Sequence, residues 1–537
     1  MNYVLHPAPW TVSVCKRSLV SQVSSEVHTR FNRELHSFPG GLELKTYKEL
    51  TNDKESFITP LPDKIILPLQ QHIGSPSQAI VKIGDAVLKG QKIAQASGYV
   101  SVPVHASTSG KIIDISTCPA PQDQSIQTPC IIIEPDGEDT WFNIEPVKDY
   151  LSIDPEKLQR LICDAGIVGM GGAGFPAHVK LNEGTATAVD TLIINGVECE
   201  PYISCDDRII REKANYIVSG TRMLQHAIQA KQCVIAVEED MPEAFVALHE
   251  FINDNDDIEL VKVPTRYPAG GEKQLIKVLT GKEIPSGGLP IHIGIVMHNV
   301  GTAAAAFRAV TRGEPLLSRY ITVSGDIENP RNLQVLLGTP VKHCLEQVAY
   351  QQRDNEIVIM GGPMMGQHIH GISMPVIKTT NSILVTSEFS HRKEKPCIGC
   401  GDCVDVCPAK LLPQELFAYA RAKDLDQVRA LHLFDCIECG CCAYVCPSNI
   451  HLVQSYRQAK KDIAAYEKKH AGYDHARHRF EARSERLNCV DDRFVKNITI
   501  SSEENPLKFE DRAMEDKQSY IKAAVERIKQ KRNKKQD

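Results

Sequence analysis

Two stretches of this chain share one cysteine spacing: Cys397-Ile-Gly-Cys400-Gly-Asp-Cys403-Val-Asp-Val-Cys407-Pro408 and Cys436-Ile-Glu-Cys439-Gly-Cys441-Cys442-Ala-Tyr-Val-Cys446-Pro447. Each copy reads C-x2-C-x2-C-x3-C-P. The sequence therefore contains an internal duplication that keeps the relative positions of four thiols. Cys441 falls outside the shared spacing, and we predict that it is a spare thiol.

This spacing is typical of loops that ligate [4Fe–4S] clusters, in which the fourth thiolate of each run binds the other cluster. Disulfides would need an oxidising compartment, and structural zinc usually takes paired C-x2-C knuckles without the trailing proline, so both fit less well. We assign the cysteines accordingly: Cys397, Cys400, Cys403 and Cys446 to cluster 1, and Cys407, Cys436, Cys439 and Cys442 to cluster 2. The pattern predicts that electrons pass through the protein, but names neither donor nor acceptor.

The composition is that of an ordinary globular protein. A length of 537 residues predicts three or more domains, and a net charge of −6 gives no case for a nucleic-acid partner. Half of the 18 cysteines lie between Cys397 and Cys446, which fits a reducing compartment. The first twenty residues do not resemble a secretory signal, and no apolar run is long enough to span a membrane. The lack of such a run excludes insertion into the membrane, but not docking of the chain onto a membrane complex.

The N-terminal part is predicted to be a variable extension over residues 1–36, followed by a β domain over residues 37–136. Short β-branched runs alternate there with Gly-containing turns. The run from Val81 to Ile112 resembles a lipoyl-type barrel sandwich. Such domains carry a cofactor on a lysine between their two halves, but this chain has no lysine between Lys92 and Lys111. We therefore predict a structural docking module rather than a swinging arm.

Residues 150–315 are predicted to form an α/β domain with a parallel sheet, because apolar runs alternate with helical segments. The predicted strands are Thr191–Ile194, Cys233–Val237, Ile258–Val263 and Ile293–Val296. Polar loops follow three of these strands. Ligands bind at the carboxyl ends of parallel strands, so the three loops are expected to converge on one site.

A glycine-rich segment, Gly169-Met-Gly171-Gly172-Ala-Gly174-Phe175-Pro176, precedes this alternation. It satisfies G-x-G-x-x-G, which by itself is a weak signal. A helix precedes it and Pro176 interrupts it, unlike a standard dinucleotide-binding turn, which follows a strand and opens a helix. On the pattern alone, a structural glycine loop is the default interpretation.

The neighbouring motifs add a family resemblance. The glycine segment with Lys180, the Asn195-Gly-Val-Glu198-Cys-Glu200-Pro turn, the Gly271-Glu272 loop and the Asn299 turn resemble, in order, the NADH-oxidising subunit of respiratory complex I. Together with Met360-Gly-Gly-Pro-Met-Met-Gly366 and the cysteine repeat, they resemble the C subunit of the Rnf ion-translocating complex over roughly residues 38–460.

The resemblance implies a set of cofactor-binding residues. Those that would hold FMN are Gly169, Gly171, Gly172, Gly174, Lys180, Asn195, Glu198, Gly271, Glu272 and Asn299. Glu200 and Phe175 would face NADH. Val197 stands where the complex I subunit has Asp, and Lys273 stands where it has a second Glu, so the pose of the nucleotide stays open.

The fold class predicted in this way is a multidomain α+β and α/β protein. The barrel sandwich is followed by a Rossmann-like FMN/NADH domain over residues 150–315 and a β-grasp (SLBB) module over residues 316–378. A two-cluster ferredoxin-like helical domain follows over residues 385–460, and a charged helical tail over residues 461–537. The basic end of the tail is interpreted as a solvated helix end rather than a nucleic-acid or lipid contact.

The resemblance implies a peripheral electron-input subunit, a translocase-type oxidoreductase, on the cytoplasmic face of the bacterial inner membrane. It would pass electrons between NADH, FMN and two [4Fe–4S] clusters to partner subunits, including a ferredoxin-type subunit, with no catalytic side-chain acid or base. Two alternatives remain. One is a soluble flavin iron–sulfur NADH oxidoreductase with a small-molecule acceptor. The other is a non-catalytic ferredoxin scaffold.

Overall fold

The computed structural model describes residues 33–120, 123–143, 145–186, 188–253, 257–353, 356–387 and 393–501, and residues 519, 520, 522, 523 and 526. Most of the predicted extension over residues 1–36 lies outside these residues, as does much of the tail. The chain divides into two compact units, Met1–Lys460 and Lys461–Asp537. In the second unit, the described residues are helical.

The N-terminal part of the first unit is built from β-strands, and those that form its two sheets pair antiparallel. The strands are β1 (Phe57–Ile58), β2 (Ile65–Pro68), β3 (Gln78–Ala79), β4 (Ala86–Val87), β5 (Lys92–Gln95), β6 (Val104–His105), β7 (Gly110–Ala120) and β8 (Asp123–Pro135). One sheet has the order β2-β8-β7-β4 and a second has the order β3-β5-β6. Ile65, Leu67, Ile93 and Ile133 are fully buried, so the inward-facing residues of both sheets share one core.

An α/β domain follows. Its elements are α1 (Pro155–Asp164), α2 (Ala177–Ala186), β9 (Thr191–Gly196), α3 (Cys205–Ile228), β10 (Gln232–Glu238), α4 (Pro242–His249), β11 (Ile258–Val263), α5 (Glu272–Thr280), β12 (Ile295–Asn299) and α6 (Val300–Arg312). The four strands are parallel in the order β11-β10-β9-β12. This arrangement brings the carboxyl ends of β9 and β12 side by side.

The last strand of this sheet begins later than predicted. Residues Pro290–Ile293 form a 3-10 turn, and Gly294 adopts a φ of +74°, so extended structure starts at Ile295. The strand then runs to Asn299, which begins the next helix by accepting a hydrogen bond from the Gly301 N–H. Asn299 therefore lies at the end of the strand, where a ligand-binding residue of a parallel sheet is expected.

A six-stranded mixed sheet follows in the sequence. Its elements are β13 (Ser318–Gly325), β14 (Arg331–Leu336), α7 (Val341–Glu346), β15 (Ile357–Met360), β16 (Gln367–Ile369) and β17 (Ser382–Thr386). The strand order is β1-β14-β13-β17-β15-β16, so the N-terminal strand β1 joins this sheet at one edge. Residues 57–58, which lie near the N-terminal end of the described chain, therefore pair with a strand from its second half.

The cysteine-rich part consists of short helices and loops and leads into a long helix. The helices are α8 (Asp402–Asp405), α9 (Pro413–Ala422), α10 (Leu425–Ala430), α11 (Cys441–Tyr444) and α12 (Leu452–Ser501). Further 3-10 turns occupy Lys48–Leu50 and Leu433–Asp435. None of the helices in the described part of the chain has an apolar stretch of the length that crosses a bilayer.

Candidate functional site

The glycine-rich segment forms a loop between α1 and α2. It is closed at its base by a hydrogen bond of 2.7 Å from the Gly169 N–H to the Phe175 carbonyl. Residues 171–173 are exposed. Gly172 adopts a φ of +109°, and a Cβ added there would meet no heavy atom within 4 Å. The loop therefore presents backbone to open space, which suits the close approach of a ligand.

Gly174 serves the loop in a different way. It has a φ of +66°, and a Cβ added to it would lie 2.5 Å from Thr379 Cγ2. Its carbonyl accepts a hydrogen bond from the Ile73 N–H of the N-terminal β domain. The end of the loop is thus packed tightly from two sides, while its tip at residues 171–173 stays open.

The predicted FMN residues gather around this loop at the carboxyl ends of the parallel strands. The Lys180 ammonium lies 2.6 Å from the Glu272 carboxylate. The Asn195 side chain donates to the Gly270 carbonyl at 2.9 Å, next to Gly271. Gly171 lies beside Asn299, since an added Cβ would be 3.6 Å from Asn299 Cβ. The structure therefore brings together residues from α2, β9, β12 and the loop before α5.

Glu198 and Asn299 are held by protein groups near the start of α3. The Glu198 carboxylate accepts hydrogen bonds from the N–H groups of Asp206 and Asp207, at 2.9 and 3.2 Å. The Asn299 amide donates to the Asp206 carboxylate at 2.6 Å. Burial, and then the nearby Asp206, raises the pKa of Glu198 to about 8. Burial likewise raises the pKa of Asp206, so both carboxyls beside the start of α3 are shifted towards their neutral forms.

Glu200 and Phe175 are the residues predicted to face NADH. The Glu200 carboxylate accepts hydrogen bonds from the N–H groups of Met364 and Met365, at 2.7 and 3.0 Å. Burial raises the pKa of Glu200 to about 7. Phe175 is half-buried at the end of the glycine loop. Glu200 is thus fixed to the turn over residues 360–366.

The segment Tyr267–Gly271 connects the predicted flavin region with the cysteine-rich part. At one end, the buried Tyr267 hydroxyl donates to the Cys439 carbonyl at 2.6 Å. At the other end, the Gly270 carbonyl accepts a hydrogen bond from the Asn195 side-chain amide. Lys273, one of the departures from the complex I pattern, forms an ion pair of 3.2 Å with Asp435. This short segment therefore joins residues of both predicted cofactor sites.

The predicted cluster cysteines line two separate cavities. One cavity is lined by Cys407, Cys436, Cys439 and Cys442 together with apolar residues. The other is lined by Cys397, Cys400, Cys403 and Cys446. In both cavities, the fourth thiol of one sequence run joins three thiols of the other run. Cys441 lines neither cavity, and packs instead in an apolar cluster with Tyr267 and Met364.

The chemistry of these thiols fits iron–sulfur clusters. Burial raises the pKa of the Cys436 thiol to about 12 and also raises the pKa of Cys403 and Cys407. A cysteine ligates iron as its thiolate, so the positive charge of the metal is needed to deprotonate such buried thiols. The Lys460 ammonium donates to the Cys436 carbonyl at 2.7 Å, which adds positive charge beside this cavity.

Two buried cations behind the glycine loop were missed by the sequence reasoning. Arg319 and Lys378 are 4% and 1% exposed. Arg319 lies on β13, which mixes apolar residues with Ser318, Thr322 and Ser324, and its hydrogen-bond acceptor Met170 is far away in the sequence. No local pattern marks such a position. Since charged side chains are rarely buried, the sequence alone favours an exposed position for this arginine.

The chain joins an α/β domain that has an open glycine loop to a helical domain that has two four-cysteine cavities. This combination defines the class of flavin- and iron–sulfur-binding proteins. Three family models match the chain: the Nuo51 FMN-binding domain over residues 162–308, the RnfC barrel sandwich hybrid domain over residues 36–138 and the 4Fe-4S dicluster domain over residues 396–450. The architecture is therefore a mixed α/β multidomain protein with these three domains.

Curated relatives show the family. The chain is 46% identical over 458 residues to the C subunit of the ion-translocating oxidoreductase complex of Edwardsiella ictaluri (strain 93-146), covering 84% of this chain and 57% of the relative. It is 44% identical over 462 residues to the protein of the same name from Yersinia pestis bv. Antiqua (strain Antiqua), covering 85% and 74%. This chain belongs to the family of C subunits of ion-translocating oxidoreductase complexes.

Among solved structures, that of an NAD+-reducing [NiFe]-hydrogenase in the H2-reduced state matches 60% of this chain and 63% of its own chain, with 19% identity and a TM-score of 0.41. The family recognised from the sequence is confirmed by the curated relatives. The predicted barrel sandwich, FMN-binding domain and [4Fe–4S] domain are confirmed by the family models. The chain spans little more than half of the Edwardsiella relative.

Proposed function

We propose that this chain is the electron-input subunit of an ion-translocating oxidoreductase complex, passing electrons between NADH, FMN and two [4Fe–4S] clusters. The observation that carries the proposal is the segment Tyr267–Gly271. It is hydrogen-bonded to Asn195 at one end and to the Cys439 carbonyl at the other. A connection of a few residues keeps two redox sites close and fixed, as electron transfer between them requires.

In this proposal the exposed glycine tip and the residues at the carboxyl ends of β9 and β12 would hold FMN. Gly169, Gly171, Gly172 and Gly174 allow the backbone to approach it, and Lys180 with the N-terminus of α6 offers positive charge to its phosphate. When bound, FMN supplies exchange of electron pairs with a nicotinamide and of single electrons with iron–sulfur clusters. The protein's own residues position the cofactor, and none acts as an acid or base.

The two cysteine cavities are evidence for two clusters. Each cluster would be bound by three cysteines of one sequence run and the fourth cysteine of the other. One cluster takes Cys397, Cys400, Cys403 and Cys446, and the other takes Cys407, Cys436, Cys439 and Cys442. The second of these cavities includes Cys439, which packs with Tyr267 and Met364. Its walls are mainly apolar side chains, including Leu416 and Tyr456, which exclude water from the thiolates.

The finer assignments belong to the same proposal. NADH would stack near Phe175, with Glu200 contributing through the turn over residues 360–366. The α/β domain would be Rossmann-like. Residues 316–378, which supply β13 to β16 of the six-stranded sheet, would form a β-grasp (SLBB) module that spaces flavin from clusters. The partners would be membrane subunits, including a ferredoxin-type subunit, and the chain would lie peripherally on the cytoplasmic face of the inner membrane.

The test is the absorption spectrum of the purified, anaerobically reconstituted chain. Bound FMN that is bleached by NADH, followed by reduction of the clusters, is the expected result. A protein that keeps its iron but binds no FMN would leave only a ferredoxin scaffold and would refute the proposal. Reduction of small acceptors by NADH that is equal with and without membranes containing the complex would instead favour a soluble oxidoreductase.

A further inference from the structure

Arg319, on β13, lies directly behind the glycine loop. Its guanidinium donates two hydrogen bonds to the Met170 carbonyl, both at 3.2 Å, and a third to the Lys378 carbonyl at 2.7 Å. All three bonds are buried, whereas residues 171–173 of the same loop are exposed. Arg319 therefore reaches the loop from the protein interior and does not lie on its open side.

The same peptide segment is also held from the α/β domain. The Met170 N–H donates to the Thr302 hydroxyl at 3.0 Å, near the start of α6. Met170 is thus fixed through its N–H by one element and through its carbonyl by another. With the Met170 carbonyl turned inward to Arg319, the exposed tip that follows it is held in one orientation.

The charge of Arg319 lacks a direct counter-ion. Among the residues that the structure describes, no carboxylate forms an ion pair with Arg319, whose hydrogen bonds go to carbonyl groups. Asp206 is the carboxylate near enough to attract the guanidinium, but burial raises the pKa of Asp206, and its carboxylate accepts the Asn299 amide. The positive charge of Arg319 is therefore only weakly offset by the protein.

The neighbouring cation, Lys378, is weaker. It donates to the carbonyls of Pro103 and Gly166, at 3.0 and 2.8 Å. Burial lowers the pKa of Lys378 to about 7, so this amine loses much of its charge near neutral pH. Burial also lowers the pKa of Arg319, but an arginine starts from a much higher pKa than a lysine and keeps its charge near neutral pH, so Arg319 is the lasting positive charge behind the loop.

An unpaired buried charge is costly, and it persists where another interaction offsets the cost. An anion seated on the open side of the loop would do so, since the low-dielectric interior screens the attraction weakly. Building on the proposed function, we propose that Arg319 is a positioning residue for the FMN phosphate: it orients the glycine loop through the Met170 carbonyl and attracts the phosphate across the loop without touching it.

This inference predicts a difference between two flavins. FMN and riboflavin share the same ring and ribityl chain, and only FMN carries the phosphate. Loss of the positive charge should therefore weaken FMN binding much more than riboflavin binding. A purely structural effect on the loop should weaken both flavins alike, because both would lose the same oriented backbone.

The experiment measures FMN and riboflavin affinities of the flavin-depleted, cluster-loaded full chain by fluorescence titration. The variants are Arg319→Met, Arg319→Gln and the matched control Arg208→Met. Arg208 is also buried, but pairs with Glu212 on its own helix. Thermal unfolding and iron content establish that each variant is folded.

The expected result for Arg319→Met is a loss of FMN affinity of about tenfold or more, the size expected for the loss of a charge–charge attraction that the protein interior screens weakly. Riboflavin affinity should change by less than about threefold, because riboflavin carries no phosphate to attract. Arg319→Gln, which keeps an amide donor but no charge, should show the same selective loss of FMN affinity, which keeps the test open if Arg319→Met does not fold. Arg208→Met should bind both flavins as the wild type does.

Equal losses for FMN and riboflavin, or an unchanged FMN affinity in a folded Arg319→Met variant, would overturn the inference while leaving the proposed function intact. An unchanged FMN affinity in a folded Arg319→Gln variant would overturn it as well. A wild-type chain that binds neither flavin would refute the proposed function itself, and this inference with it.

Discussion

Lys180 is the residue on which the electrostatics of the proposed flavin site can be tested most directly. Its ammonium lies 2.6 Å from the Glu272 carboxylate and 3.2 Å from the Met297 carbonyl. Lys180→Ala removes a cation and leaves Glu272 without this partner near the proposed phosphate. FMN affinity is expected to fall about tenfold, as for loss of a charged hydrogen bond, while iron content stays unchanged.

The matched control is Lys231→Ala. Lys231 forms an equally short ion pair, 2.6 Å to Asp190, but at an exposed position. The Lys231→Ala variant should retain FMN as the wild type does. The measurement is the flavin-to-iron ratio after desalting, and an unchanged ratio in Lys180→Ala would rule out a part for Lys180 in FMN binding.

Lys378 gives a pH-dependent prediction for the flavin-depleted protein. Burial lowers the pKa of Lys378 to about 7, from its usual value of 10.5. Between these two values the unfolded chain binds more protons at this site than the folded chain. Its contribution therefore makes stability rise with pH across this window, and the cost of the buried ammonium is full below about pH 7.

Lys378→Met removes that contribution and leaves the carbonyls of Pro103 and Gly166 without their donor. The wild type should gain about 2 kcal/mol of stability from Lys378 between pH 7 and pH 9, and the variant should lack this gain. Denaturant unfolding at both pH values is the measurement. Lys231→Met serves as an exposed control, with no such pH-dependent difference. A pH-independent difference for Lys378→Met would show that the amine is not buried as described.

At the scale of elements, the duplicated cysteine loops offer a matched pair of glycines. Gly401 and Gly440 occupy equivalent positions, and each precedes a short helix, with φ of +90° and +82°. A Cβ added to Gly401 would meet nothing within 4 Å. A Cβ added to Gly440 would lie 2.8 Å from the Met364 carbonyl. The two loops therefore differ in packing and share their backbone conformation.

In Gly401→Ala, the free energy of unfolding should fall only by the cost of a left-handed backbone at a residue with a side chain, about 1 kcal/mol. In Gly440→Ala, it should fall by this amount and by roughly 1–3 kcal/mol more, because the turn over residues 360–366 must move. The loss of cluster absorbance during denaturant unfolding measures both. Equal effects in the two variants would mean that the second loop does not pack against the Met364 turn.

Much of this arrangement was predictable from local sequence. The strand Ile258–Val263 and the paired cysteine runs each carry a signal within a few residues. The start of β12 was predicted too early, because Gly294 breaks an apolar run that looks continuous. Contacts such as Arg319 to Met170, or Tyr267 to Cys439, depend on packing between distant segments and leave no local signal.

The candidate site shows the same division between local and distant information. The loop glycines and polar strand ends were found from their motifs, and the structure brings Lys180 to Glu272 and Asn195 to Gly270. The partners that hold these groups were not foreseen, since Asp206 pairs with Asn299 through the fold of α3 and β12. The local sequence identifies the residues that can bind a ligand, whereas their charge and orientation depend on tertiary contacts.

At the scale of the first unit, the two cysteine cavities differ in exposure. Cys397 and Cys400 are exposed, whereas Cys439 and Cys442 are only 7% and 8% exposed. The cavity of Cys439 is also the one joined to Tyr267. The proposed function therefore places one cluster inside the protein near the flavin and the other near the surface, where a partner protein can approach it.

This difference predicts that an iron chelator removes the clusters in two phases. Roughly half of the iron should leave quickly, from the cluster held by Cys397 and Cys400, because each cubane cluster holds four irons and only one cluster is exposed. Cys397→Ser should abolish or reduce the fast phase and spare the slow one. Cys118→Ser, which changes a thiol outside both cavities, is the control. Chelation monitored by absorbance under anaerobic conditions measures the phases, and a single phase for the wild type would contradict the unequal burial of the two clusters.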